Sequence, residues 1–227
     1  ISDHPELFDI NRGPVGNDAG GPQGANGDWM HINAVDYNPI LDQIVISSRT
    51  QNEIFIIDHS TSTEEAASHS GGNSNQGGDF LYRWGNPENY GRGDEADQIL
   101  GDQHSINWIP VGYPGEGNLI LFNNFHEDNT SAVLEFSPPL DGNNYAIIEG
   151  ESFGPETWEW IYTGDITTPM QGGAFRLPNG NTLITQTHTA TIIEVDSEEN
   201  EIWSFTHEGE SSYWIARCEK YSPDYLG

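Results

Sequence analysis

Basic residues are scarce in this chain: its 227 residues include only seven lysines and arginines against 36 aspartates and glutamates. Lys220 is the single lysine, and the formal net charge is -29. A field of this sign repels phosphate backbones and anionic lipids, which argues against nucleic-acid binding and electrostatic membrane binding. Two explanations of the acidity stay open. One is solubility in a saline or marine setting, where salt screens self-repulsion, and the other is a calcium-rich acidic surface.

Cysteine and long apolar runs are also nearly missing. Cys218 is the only cysteine, so no disulfide can form within the chain. No run of about 18 apolar residues occurs, which argues against membrane insertion through a spanning helix. The histidines do not have the HExxH or another zinc spacing, so no metal is predicted, and no cofactor is predicted either. The GxSxG, P-loop and dinucleotide-binding motifs are absent as well.

Glycine, proline and aromatic residues are plentiful, and the glycines and prolines separate short apolar runs. Three sets of four β-rich runs follow one another, and each set closes on a run with a tryptophan, namely Trp84, Trp160 and Trp203. Four short strands with an aromatic anchor on the last are typical of a β-propeller blade. A β-sandwich also accommodates twelve short strands, so the recurrent tryptophan is what favours the propeller.

We therefore predict an all-β fold, a β-propeller over residues 28–227 that follows an extended N-terminal segment, residues 1–27. The predicted blades cover about 28–85, 102–162 and 171–206, and 213–227 resembles the start of another. A closed ring needs at least about four blades. Chain missing upstream of Ile1, blades from another subunit of a homo-oligomer, and a wrong repeat count are the open explanations. We expect missing upstream sequence.

Histidines at related places in the repeats are the candidate site residues. His31 and His104 each stand at the start of a blade's first strand, which lines the central channel of a propeller. Asn33 follows His31 by two residues, and His188 lies in the turn between the second and third strands of its blade. A single histidine at a strand start is more often a polar group bonded to a backbone carbonyl, but two at matching places leave this explanation and a shared site about equally open.

The sequence contains only six arginines, so each one inside the fold is a candidate for anion binding or for a structural ion pair. Arg49 ends the strand IVISSR, and its planar fork of donors suits sulfate, phosphate or carboxylate. Arg83, beside Trp84, and Arg176 are instead predicted to form ion pairs or to stack on aromatic rings.

Several long segments resemble the bacterial arylsulfate sulfotransferase family. They are DWMHINAVDYNPILDQIVISSRTQNEIFIID from residue 28, GGDFLYRWGNPENYGRG and DQHSINWIPVGYPGEGNLILFNN between residues 77 and 124, RLPNGNTLITQ from residue 176, and the terminal EKYSPDYLG. The first two motifs are long enough to be specific, whereas PNGNTL occurs in many propellers. Together the resemblance spans roughly residues 28–227.

The resemblance implies a six-bladed bacterial propeller that acts outside the cytoplasm, secreted or periplasmic, and needs no nucleotide sulfate donor. Its members transfer a sulfuryl group from a phenolic sulfate ester to a phenol through a histidine. Carried over, His31 and His104 match histidines of the family motifs and Arg49 matches the arginine that ends the second strand. His188 is at about the right distance to be the nucleophile, and Asn33 is assigned with Arg49 to substrate binding.

One departure from the family pattern gives a second hypothesis. After the strand LILFNN the family usually has an arginine in a Gly-rich turn, whereas this chain reads FHEDNTS, with His126 nearest. Loss of that cation, together with the negative field, weakens the binding of an anionic substrate. The alternative is a non-catalytic extracellular propeller that serves as a binding or assembly module.

Overall fold

The computed structural model of the chain describes residues 1–12, 28–127, 130–209, 214–221 and 224–225. Within these ranges fourteen strands form four antiparallel sheets. The helical part consists of one α-helix, Thr63–Ala66, and two 3-10 turns, Pro87–Tyr90 and Glu95–Asp97. The all-β prediction is confirmed. None of the helices in the described ranges has the length and apolarity needed to cross a bilayer.

The first sheet is a four-stranded meander in which each strand pairs with the next along the chain. Its strands are β1 (Ile32–Asn38), β2 (Gln43–Ser48), β3 (Glu53–Asp58) and β4 (Phe80–Trp84). β1 is half exposed along its length, whereas β3 and β4 are almost entirely buried. The sheet therefore has its most covered strands on the side away from β1.

The second sheet has the same order, with an insertion before its last strand. Its strands are β5 (His104–Trp108), β6 (Leu119–Asn123), β7 (Ala132–Phe136) and β10 (Trp160–Tyr162). The inserted hairpin is β8 (Leu140–Asp141) and β9 (Asn144–Tyr145). Its turn has a glycine with φ of 63° at position 142, after an aspartate, which is typical of a tight two-residue hairpin.

The third sheet repeats the meander. Its strands are β11 (Gly173–Arg176), β12 (Thr182–Gln186), β13 (Thr191–Val195) and β14 (Glu201–Thr206). The three recurrent tryptophans all lie on the fourth strand of their sheets, as the sequence predicted, but they differ in burial. Trp84 is 2% exposed and Trp203 is 48% exposed, because Trp84 lies between two sheets and Trp203 lies on the outermost strand of the third.

The sheets pack face against face, and their first strands are neighbours: β1 lies beside β5, and β11 packs against β5 and β6. One apolar cluster joins the first two sheets, where Trp84 stacks on Phe136 with ring centroids 3.9 Å apart. A second cluster joins the second and third sheets around Phe122 and Ile184. Burial of these faces is what fixes the relative position of the strand ends that carry the candidate site.

Chain segments outside the sheets complete the packing. Residues 1–12 lie against the first sheet, where the Phe80 N–H donates to the Glu6 carbonyl over 3.0 Å. The rest of the predicted N-terminal segment, residues 13–27, is outside the described residues. Residues 214–221 have no assigned strand and run along the third sheet, where the Cys218 N–H donates to Thr185 Oγ1 over 3.0 Å. The predicted start of another blade falls here, and residues 213, 222–223 and 226–227 are outside the described ranges.

Two arginines have structural roles. Arg83 makes a bidentate pair with Glu53, through Nε to Oε1 at 3.0 Å and Nη2 to Oε2 at 2.8 Å, and its guanidinium lies 4.4 Å from the Tyr90 ring centroid. Arg176 pairs with Glu135 and lies over the Trp160 ring. The prediction that both arginines form ion pairs or stack on aromatic rings is confirmed.

Candidate functional site

The candidate site lies at the end of the three sheets where each first strand begins and where the second strand turns into the third. In an antiparallel meander these two points lie at the same end of the strands, and we call this end of the sheets the histidine edge. Hydrogen bonds and an ion pair join this edge of the first sheet to that of the second, and the second to the third. His31, Arg49, His104 and His188 all belong to it.

His31 stands immediately before β1, in a left-handed backbone conformation with φ of 43°. Its Nδ1 lies 2.5 Å from Asp28 Oδ2, and its carbonyl accepts the Arg49 N–H over 3.1 Å. Both side chains of the His31 and Asp28 pair are about one-third exposed, at 32% and 28%. The ring lines an open depression of about 480 Å³ that residues 28–32 form. The Asp28 carboxylate on one ring nitrogen fixes the orientation of the imidazole.

Arg49 connects the first sheet to the second. Its guanidinium forms an ion pair with Asp102, and both side chains are 27% exposed. The Asp102 N–H donates to Asn52 Oδ1 over 2.8 Å, so the loop before β5 is attached to the same turn twice. Because the guanidinium of Arg49 already pairs with the Asp102 carboxylate, an anion that binds Arg49 has to share the guanidinium with Asp102.

His104 begins β5 and is 9% exposed. Its Nδ1 lies 2.9 Å from the Asp102 carbonyl and 2.8 Å from Asn124 Oδ1, and its Nε2 accepts the Gln171 N–H over 3.2 Å. Burial lowers the pKa of His104, and the positive charges of Arg49 and His31 lower it further, while the two bonds at Nδ1 oppose the shift. His104 is therefore held neutral, with both ring nitrogens in hydrogen bonds.

His188 lies in the turn between β12 and β13, on the third sheet. Its backbone N–H donates to Thr168 Oγ1 over 3.2 Å, and the same Oγ1 is 3.5 Å from its Nδ1. The ring centroid is 4.4 Å from that of Trp214. Thr168 is fully buried and belongs to the loop that precedes β11, so His188 is attached to the same loop that contacts His104.

Comparison with known families assigns the chain. The model of the arylsulfotransferase (ASST) family matches residues 4–145, more than half of the 227 residues. The chain belongs to the arylsulfotransferase family. The resemblance that the sequence motifs indicated is thereby confirmed. His31, Arg49 and His104 lie inside the matched range, and His188 lies beyond its end.

Other comparisons add little to the arylsulfotransferase assignment. No curated protein matches the chain. Hsv2 of Kluyvelomyces marxianus is 13% identical with a TM-score of 0.38, over 78% of this chain and 49% of that one. A Bacteroides caccae protein of unknown function is 12% identical with a TM-score of 0.35, over 82% and 65%. A chain of a nidogen/laminin complex is 10% identical with a TM-score of 0.36, over 82% and 70%. The chain thus spans about half the length of Hsv2.

Asn33, which the sequence analysis assigned to substrate binding, lies on β1. Its Nδ2 donates to the Gln103 carbonyl over 2.7 Å, and its buried Oδ1 has no hydrogen-bond partner among the described residues. Asn107 on β5 reaches the third sheet in the same way, donating to the Ala174 carbonyl over 3.0 Å. These amides bridge neighbouring first strands, so Asn33 has a clear structural role.

Four polar residues of the site were missed by sequence reasoning, namely Asp28, Asn124, Thr168 and Gln171. Asn124 had a usable signal, because it ends the strand LILFNN as Arg49 ends IVISSR. Gln171 and Thr168 act through a backbone N–H and a hydroxyl on an irregular loop, which have no sequence signature. His126, nearest to the position of the family's usual arginine, is half-buried and packs edge-on to Trp158.

A protein-held metal finds no support in the described ranges, where no cluster of three or more His, Cys, Asp or Glu side chains is placed to bind an ion. Of the aspartates noted in the sequence, Asp102 pairs with Arg49. Asp94 and Asp97 cap a 3-10 turn through reciprocal bonds to each other's backbone. Their carboxylates thus accept hydrogen bonds within this turn.

Proposed function

We propose that the three sheets are consecutive blades of a β-propeller and that their histidine-bearing edge is part of a sulfotransferase site. The meander order of every sheet and the adjacency of β1, β5 and β11 support the propeller. In a propeller the first strands surround the axis, so residues at their entrances face one shared channel. Family membership supports sulfuryl transfer as the activity.

The proposed reaction passes through a sulfated histidine. A ring nitrogen of His188 attacks the sulfur of a phenolic sulfate ester, the S–O bond to the phenol breaks, and the released phenolate takes up a proton. A second phenol then loses its proton and attacks the sulfur, and the N–S bond breaks to regenerate the histidine. Covalent catalysis of this kind splits one difficult transfer into two easier steps.

The neighbouring groups suit the other roles. His31, oriented by Asp28, is the proposed proton donor to the leaving phenolate. Arg49 is the proposed donor to the sulfuryl oxygens, where charge accumulates in the transition state. His104 completes the polar lining, and Asn33 lies behind it at the junction of the first strands.

One observation carries the proposal. The Arg49–Asp102 pair, the bonds of His104 to Asn124 and Gln171, and the Thr168–His188 contact form a continuous polar chain across the three sheets. Residues far apart in sequence are thus brought to one edge, as a shared site requires.

The test is transfer from 4-nitrophenyl sulfate to phenol by the purified chain, followed as release of 4-nitrophenolate. We expect His188→Ala to abolish transfer, because the nucleophile is lost, and His31→Ala to slow it about 100-fold as general acid catalysis is lost. His69→Ala is the matched control, since His69 is exposed and pairs with Asp79 away from the site. Full activity of the His188 variant would contradict the proposed nucleophile.

A non-catalytic binding or assembly module is the second candidate function, and specific observations favour it. Arg49 is already paired with a carboxylate, both nitrogens of His104 are engaged, and His126 packs on Trp158. A folded wild-type chain that transfers no sulfate but binds 4-nitrophenyl sulfate in a calorimetric titration would support a binding module.

The setting of the protein belongs to the same proposal. We propose that it acts outside the cytoplasm of a bacterium, with small phenolic sulfates and phenols as its partners. Upstream sequence is the proposed source of further blades, and a homo-oligomer is the alternative source. Cell fractionation tests the location. Native mass spectrometry of the protein from its source tests the number of subunits and the true N-terminus.

A further inference from the structure

Asn124 occupies the centre of the polar chain and is 1% exposed. Its Oδ1 lies 2.8 Å from His104 Nδ1, and its Nδ2 donates to the carbonyls of Thr168 and Gln171 over 2.7 and 2.8 Å. Its own carbonyl accepts from Ser131 Oγ over 3.0 Å. The amide side chain thus uses both of its donors and its acceptor, inside the protein.

These contacts determine which way the amide points. Two carbonyl oxygens face Nδ2, and a carbonyl can only accept a hydrogen bond, so the nitrogen has to be on that side. The oxygen is then left facing His104, and Nδ1 of His104 has to carry a proton. At the other side of the ring a backbone N–H donates to Nε2, which therefore has none. The result is a single neutral tautomer, with the proton on Nδ1.

The same amide is connected to His188 through Thr168. The Thr168 N–H donates to Ser131 Oγ over 3.0 Å, its carbonyl accepts from Asn124, and its hydroxyl accepts the His188 N–H. Thr168 is fully buried, so its hydroxyl cannot turn to water when the bond to His188 is lost. A change at Asn124 therefore reaches His188 through two hydrogen bonds, from Asn124 Nδ2 to the Thr168 carbonyl and from the His188 N–H to the Thr168 hydroxyl.

We infer that Asn124 is a positioning residue that fixes the tautomer of His104 with its oxygen and the placement of His188 with its nitrogen. Its effect on turnover rests on the proposed function, whereas its effect on the two histidines does not. Asn124 is uncharged and does not react with substrate, so it acts only through its hydrogen bonds to His104 and to the loop that contains Thr168.

The test compares Asn124→Ala and Asn124→Asp with wild type in the full chain, by long-range ¹H–¹⁵N correlation spectra of the imidazoles at neutral pH. We expect wild-type His104 to show a protonated Nδ1 and an unprotonated Nε2. Asn124→Ala is expected to give a mixture of tautomers at His104 and shifted His188 resonances. Asn124→Asp keeps the acceptor and loses the donors, so it is expected to preserve the tautomer and still shift His188.

Asn123→Ala is the matched control. Asn123 is the adjacent residue, fully buried, and its amide also bonds on both sides, to the Gly101 N–H and the Ile99 carbonyl, but not to a histidine. We expect it to lose stability without altering either imidazole. An Nε2 proton on wild-type His104, unchanged histidines in Asn124→Ala, or the same changes in Asn123→Ala would each overturn the inference.

Turnover separates this inference from the proposed function. In an active protein Asn124→Ala is expected to lower kcat by at least about 10-fold, because catalytic groups are displaced, while Asn123→Ala lowers it little at a temperature where both variants are folded. If wild type transfers no sulfate and the spectra are as expected, the proposed function fails and the positioning of the histidines stands. If the spectra change and kcat does not, Asn124 has no role in turnover.

Discussion

Neutral side chains do most of the positioning at the histidine edge. Asn124, Thr168 and Ser131 are buried and are joined by hydrogen bonds to one another's backbone. Asn124 also bonds to His104 and Thr168 to His188. The charged residues of this edge are matched in pairs, as Arg49 is with Asp102. A buried amide costs little when all its bonds are made, whereas an unpaired buried charge costs several kcal/mol, about 3–5 when one partner of a pair is removed. The exposed fractions follow this difference, since the Arg49 and Asp102 side chains are each 27% exposed whereas Asn124 is 1% exposed.

His104 predicts a specific pH dependence of stability. Its pKa is lowered in the folded state, so below its unfolded value of about 6.5 the unfolded chain binds more protons. Its contribution to stability is therefore complete above that value and is lost as the pH falls towards the folded pKa. We expect urea unfolding of His104→Gln to show a flatter fall in stability than wild type between about pH 7 and 5, by at most about 1.4 kcal/mol per unit. Equal slopes would contradict the burial effect.

Among the strands and turns, one contact recurs between neighbouring units. Glu135 on β7 accepts Asn118 Nδ2 at its Oε1 and pairs with Arg176 of the next sheet through its Oε2. Glu194 on β13 accepts Asn181 Nδ2 at its Oε1, over 2.7 Å, and Lys220 at its Oε2, over 3.0 Å. Lys220 thus pairs with a glutamate of the third sheet as Arg176 on β11 does with one of the second, although residues 214–221 form no assigned strand. The start of another blade in residues 213–227 stays a prediction.

The two versions of this contact are expected to differ in strength. Arg176 and Glu135 are 5% and 7% exposed, whereas Lys220 is 58% exposed. Arg176→Ala leaves a buried carboxylate and is expected to cost about 3 kcal/mol. Lys220→Ala removes an exposed partner and is expected to cost less than about 1 kcal/mol. Urea unfolding of both variants measures the difference, and equal losses would show that burial does not set the strength of this contact.

Across the chain as a whole, charge is the dominant long-range effect. With a net charge of -29, the folded state repels itself, and added salt relieves that repulsion as the Debye length falls from about 10 Å at 0.1 M to about 3 Å at 1 M. We expect the melting temperature to rise over this range, by about 2–4 °C for each kcal/mol of repulsion removed.

The same measurement distinguishes the two explanations of the acidity. NaCl and KCl are expected to act alike, because screening depends on ionic strength and not on the cation. Millimolar CaCl₂ at constant ionic strength is the control for a calcium-binding surface. A large rise with calcium and little response to NaCl would favour calcium binding over salt adaptation.

The order of residues determined the all-β fold, because turn residues alternate with short apolar runs and that pattern depends only on neighbouring positions. It also determined family membership, which depends on contiguous motifs around His31, Arg49 and His104. The pairing of Arg49 with Asp102 and the attachment of His188 to Thr168 were decided only by tertiary structure. These contacts join residues on different sheets, and they exist because apolar faces such as those of Trp84 and Phe136 pack against each other and hold the strand ends together.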